Sequence, residues 1–105
     1  MELSIDNADT PIYTVGQVST MLSVQPAFLR RLDAEDVVSP DRTDGGQRRY
    51  SRGEIHQVQR VSEMMGEGFT LAGIRRILLL EAEVNRLQAE VAELRRKRPN
   101  RGRSQ

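Results

Sequence analysis

Ile77, Leu80, Val84, Leu87, Val91 and Leu94 recur at alternating spacings of three and four. This is a heptad seam, with β-branched residues at one set of positions and leucine at the other. A helix carrying such a stripe leaves it wet unless another helix covers it. The chain has only 105 residues, 37% of them apolar, so it has little domain with which to cover the seam itself. The expectation is therefore a small domain followed by a helix that pairs with a second copy.

Charge bears on how the copies pair. Glu81 and Glu83 flank the seam early, and Arg95 and Lys97 flank it two heptads later. A parallel pair would set like charges side by side, whereas an antiparallel pair sets acids near bases. An antiparallel two-helix homodimer is expected, biased rather than held by these exposed pairs.

Upstream of the seam the reading is of short helices. Thr14 and Gln17 have the spacing of a capping box, followed by Val15, Val18 and Leu22 at helical intervals, with Met21 beside them. This predicts a helix over 15–22. After Ser23 and Val24, Pro26 suits the first turn of a second helix running to about Glu35. Phe28, Leu29 and Leu32 form its apolar face, and Ala27, Arg30, Arg31 and Ala34 point elsewhere. Two such helices can be an ordinary hairpin or a helix-turn-helix.

The segment VVSPDRTDGGQRRYS favours the second over a solvated hairpin with a core tyrosine. Val37 and Val38 can form one strand and Gln47 to Tyr50 another, joined by a basic, glycine-containing tip. A hairpin directly after a helix-turn-helix is a wing. Glycine such as Gly46 lets the backbone approach a phosphate, and arginine offers it planar, multi-donor contact. Tyr50 can lay its ring on the domain and leave its hydroxyl for a phosphate. Ser51 and Glu54 form a second capping box, opening a helix through about Gly66 lined by Ile55, Val58, Val61, Met64 and Met65. Gly68 ends it, Phe69 is expected to plug the core, and Thr70 caps the next helix.

Composition narrows the chemistry. With no Cys and one His, His56, disulfides, thiolate metal sites and thiol redox sensing are excluded, and a transition-metal site is not expected. No nucleophile–base pair or phosphate loop is present, so an enzyme is not expected, nor is any cofactor. No apolar run reaches membrane-span length and MELSIDNADT lacks a signal-peptide core, making a soluble cytoplasmic protein the expectation. The net charge of +1 hides blocks: Arg30 to Arg60 is rich in arginine, and residues 95–103 add five Arg and one Lys.

In this order, helix-turn-helix, wing, two-helix segment and coiled coil, the chain resembles the MerR family of bacterial transcription regulators over roughly residues 12–94. VVSPDRTDGGQRRYS, LAGIRRI and LE-x-x-V-x-x-L-x-A-x-VAEL are similar to its heat-shock repressor branch, the HspR type. The resemblance implies a mostly α, winged-helix dimer joined by an antiparallel coiled coil and binding an inverted repeat in double-stranded DNA. It also implies a DnaK-type chaperone as corepressor. Three positions depart from the family pattern: Leu32 stands where a tyrosine is usual, Asp36 where a glycine is common, and Phe28 replaces a small hydroxyl residue. No large C-terminal sensor domain follows the heptads, so no small-molecule effector is expected.

The expected organisation is a disordered arm over 1–11, a winged-helix domain over 12–75, a coiled-coil dimerisation helix over 76–98 and a disordered basic tail over 99–105. Gln25, Ala27, Arg30 and Arg31 are the expected groove contacts. Arg42, Gly46, Arg48, Arg49, Tyr50 and Arg52, with Thr14 at a helix start, are the expected backbone contacts. A rival reading is an excisionase-like factor that bends DNA without a long dimer seam. Another is an adaptor whose heptads bind a different coiled-coil protein.

Overall fold

A computed structural model describes residues 8–98; the outer part of the expected arm, 1–7, and the expected tail, 99–105, lie outside the described residues. The elements run β1 (Tyr13–Thr14), α1 (Val15–Leu22), α2 (Pro26–Ala34), β2 (Asp41–Arg42), β3 (Arg48–Tyr50), α3 (Arg52–Gly66) and α4 (Leu71–Lys97). The chain divides into two units, one ending at Arg75 and one beginning at Arg76.

In the first unit the helices begin where side chains supply the bonds that a helix start lacks. Thr14 Oγ1 accepts the Gln17 N–H at 3.0 Å, and Gln17 Oε1 accepts the Thr14 N–H at 2.8 Å. Ser51 and Glu54 repeat the arrangement at 3.1 and 2.9 Å for α3. Each such cap stabilises its helix by about 1 kcal/mol. Thr70 Oγ1 accepts the Gly73 N–H at 3.0 Å, as expected of the cap to α4. Between α1 and α2 the chain turns on Ser23, which takes φ 56°. The Ser19 hydroxyl donates to the Val24 carbonyl and ties that turn.

The core is built from one face of each helix: Val18, Leu29, Leu32, Ile55, Val58, Val61, Met64, Leu71 and Ile74, with Val38 and Tyr50 from between them. At about 1.5–3 kcal/mol for each large apolar side chain removed from water, these eleven residues are the main favourable term. Phe69 is not among them. It is 46% exposed, and Leu71 and Ile74 are the buried residues at the start of α4.

The sheet departs from expectation. Val37 and Val38 form no strand, since the Leu32 carbonyl accepts both of their N–H groups, at 2.8 and 3.3 Å, and wraps them over the end of α2. The wing's first strand is instead Asp41–Arg42, paired antiparallel with β3 so that Arg42 faces Arg48. Gln47 lies in the turn rather than in β3: Thr43 and Gln47 close the tip, with Gly46 at φ 86°. The strand β1 was not expected; it pairs antiparallel with the other edge of β3, Tyr13 against Tyr50, giving the order β1-β3-β2. Within the expected arm, the Ala8 carbonyl accepts the Gly53 N–H at 2.9 Å, so the arm is docked at least from there.

The helix expected after Thr70 and the heptad helix are one element, α4. In the second unit Leu80, Val84, Leu87, Val91 and Leu94 are exposed along it, joined by Leu79, while Ile77 is partly covered. Several of its charges pair along the helix: Arg86 bonds Glu83 at 2.6 Å and Glu90 at 3.4 Å, and Glu93 pairs with Arg96 and Lys97.

Candidate nucleic-acid interface

Burial of Leu29 and Leu32 dictates what α2 shows to solvent. The opposite face carries Ala27, Arg30, Arg31 and Ala34, all exposed, with Gln25 exposed at the helix start. Small residues flanking arginines make a face that can enter a groove: the alanines allow approach and the guanidiniums carry donors to its floor. Arg31 is held in line by Glu35 at 3.1 Å, an exposed pair on successive turns. No side chain caps α2; Pro26 occupies its first position, where a missing N–H costs nothing.

The wing lies within reach of this helix because a carboxylate joins them. Asp33, in the last turn of α2, accepts from Arg42 Nη2 at 2.9 Å and from Arg48 Nε at 2.7 Å through the same oxygen, Oδ2. Arg42 Nη1 also reaches the Gly46 carbonyl at 3.2 Å, bracing the tip. Asp33 was not foreseen as a site residue. Its partners lie 9 and 15 positions away, so no local spacing signals it.

Two expected backbone contacts are turned inward. Arg48 has a side chain only 21% exposed, drawn under the wing by Asp33. Tyr50 is 1% exposed and its hydroxyl is enclosed without a hydrogen-bond partner, so the free hydroxyl expected for a phosphate is not presented. Burial pushes the Tyr50 phenol above its ordinary pKa; Arg48 and Arg42 oppose the shift, and Asp33 and Glu54 reinforce it. The phenol is neutral throughout the physiological range.

The remaining residues sit as follows. Arg42 is 48% exposed; Arg49 and Arg52 are partly exposed, and Arg49 Nη1 donates to the Arg48 carbonyl at 3.1 Å. Gly46 is exposed in a left-handed conformation that admits few residues other than glycine. Thr14, Val15 and Gly16 share a shallow groove with Gly46, Gln47 and Arg49. It brings the positive end of α1 beside the wing, an arrangement suited to an anion. Among the described residues no cluster of His, Asp or Glu could hold a metal ion, and no helix is long and apolar enough to cross a membrane.

The sequence pattern of the MerR HTH family of regulatory proteins matches residues 13–81. The chain is 44% identical over 87 residues to the "Putative heat shock protein HspR" of Streptomyces coelicolor, covering 82% of this chain and 58% of that protein. It thus spans less than two thirds of that relative's length. It is 24% identical over 92 residues to the HTH-type transcriptional regulator GlnR of Bacillus anthracis, covering 85% of this chain and 71% of the relative. Among solved structures, a MerR-family transcriptional regulator from Bacillus cereus superposes with a TM-score of 0.60 at 23% identity, over 80% of this chain and 70% of that one. HiNmlR, described as a MerR family regulator lacking the sensor domain and bound to promoter DNA, gives 0.58 at 20% identity over 80% and 79%. These two share the fold: a mostly helical chain with a winged helix-turn-helix and a long C-terminal helix.

Proposed function

Since the chain belongs to the MerR family of helix-turn-helix regulatory proteins, we propose that it is a sequence-specific DNA-binding transcriptional regulator. It acts as a homodimeric repressor of the HspR type on an inverted repeat. The observation that carries this reading is the outward face of α2, where Ala27, Arg30 and Arg31 stand exposed beside an arginine-bearing wing braced to the same helix by Asp33. In this reading Gln25, Ala27, Arg30 and Arg31 meet base edges. Arg49, Arg52, the Gly46 tip and Thr14 meet the phosphate backbone and set the docking angle.

The exposed stripe of α4 supports the dimer. Leu80, Val84, Leu87, Val91 and Leu94 are spaced for knobs-into-holes packing against a second copy. In this reading each protomer takes one half-site. The DnaK-type corepressor comes from the resemblance alone; its test is whether the purified chaperone raises operator occupancy at fixed regulator concentration.

Selection of binding sites from a random duplex library at near-physiological salt tests the proposal. Recovery of a two-fold symmetric motif supports a dimeric operator-binding regulator. If no motif is recovered and binding vanishes as salt rises, the arginines make only non-specific phosphate contacts and the proposal fails.

A further inference from the structure

Asp33 is an acid where an acid is least welcome. It lies in the last turn of α2, where the helix dipole is negative, on the helix proposed to face a polyanion. Its side chain is only 14% exposed. Two guanidiniums compensate it, and their positions are informative. Arg42 and Arg48 sit directly opposite one another on β2 and β3, so one carboxylate oxygen spans both strands of the wing. The three groups together carry one net positive charge rather than two.

We infer that Asp33 is a positioning and specificity-determining residue that fixes the wing against α2 by engaging Arg42 and Arg48, which would otherwise be drawn to phosphates. The inference rests on the DNA-binding reading above and deepens it. A wing with loose arginines would bind any duplex more tightly, in many orientations. A wing pinned by Asp33 gives up that affinity and presents its tip at one angle to the reading helix. Asp33 touches no nucleic acid in this scheme; it acts through the two arginines.

The test is duplex binding by the full chain across a salt series, using a selected duplex and a scrambled duplex of equal length. Asp33→Asn removes the charge and keeps the shape. On the scrambled duplex its log K against log salt should steepen by about 0.9 for each arginine released to a phosphate. The gap between the two duplexes should narrow by roughly tenfold, the order of losing one base-pair contact. A uniform loss on both duplexes at unchanged slope would show that Asp33 merely supports the fold, and would overturn the inference.

Arg48→Gln gives a second arm that stands even where the first variant fails to fold. With Arg48 held by Asp33, its loss should leave the salt slope unchanged while narrowing the gap between duplexes. A slope shallower by about 0.9 would place Arg48 on a phosphate in the native complex and overturn the inference. Failure of the unaltered chain to bind either duplex would instead remove the DNA-binding reading beneath it.

Discussion

The Leu32 carbonyl accepts the Val37 N–H at 2.8 Å, and the chain can make that bond only because Asp36 takes the left-handed conformation at φ 59°. This closure ends α2 and delivers Val38 to the core. It also gives a physical reason for the glycine common at this place in the family: only glycine adopts that conformation freely. Asp36 recovers part of the cost through the Ser39 hydroxyl at 3.2 Å and Arg75 at 3.5 Å, both exposed.

Asp36→Gly should therefore raise stability by about 0.5 kcal/mol, because relief of the left-handed strain exceeds two exposed contacts. Urea unfolding checks this: the midpoint should rise at constant slope. A fall would mean that Ser39 and Arg75 outweigh the strain.

Tyr50→Phe removes a buried hydroxyl that has no partner, so it should be neutral or stabilising by up to about 1 kcal/mol. Tyr50→Ala should cost about 3–5 kcal/mol, since the ring is core. Duplex binding by the phenylalanine variant should match that of the parent chain. A weakened complex would show that the hydroxyl does reach DNA.

The absence of Cys makes single-site labelling clean. With Lys97→Cys carrying a spin label, an antiparallel dimer centred on the heptad stripe places the two labels roughly 30–35 Å apart, from the helix rise of 1.5 Å per residue. A parallel pair would hold them at about the interaxial spacing, on the order of 10 Å. Pulsed electron resonance distances decide between the two arrangements.

The Arg86 guanidinium beside Glu83 holds its carboxyl below the ordinary glutamate range. A carboxylate lowered on folding contributes stability above its unfolded pKa and loses it as pH falls through the folded value. Arg86→Ala should return the Glu83 midpoint to that of a free glutamate in a side-chain NMR titration. The pair is solvent-exposed, so the helix should survive the substitution with little change in melting.

What the sequence made legible was local. Thr14 with Gln17 and Ser51 with Glu54 are three residues apart, so both capping boxes could be read and both form. The outward face of α2 followed from the spacing of Phe28, Leu29 and Leu32, of which the two leucines are buried and Phe28 is partly covered. Val37-Val38 misled because a β-branched pair favours strands in general, whereas here tertiary burial and the Leu32 carbonyl claim it. β1 is two residues long, too short for any periodicity, and its partner Tyr50 lies far along the chain. The inward turn of Arg48 was equally hidden. Nothing within a helical or strand period of Arg48 points to Asp33, and an arginine beside a glycine-rich tip reads as a surface residue until the carboxylate is placed beneath it.

The central position of β3 bears on how the chain folds as it is made. Both edge strands, β1 and β2, emerge from the ribosome before the strand that joins them. Tyr13 and Ile12 have no partner until Tyr50 has been synthesised, and the hydrophobic centre waits longer still, for Leu71 and Ile74. Early growth is thus confined to the locally capped helices, which are too short to persist alone. The first unit should condense in one late cooperative step, once the opening turn of α4 clears the exit tunnel.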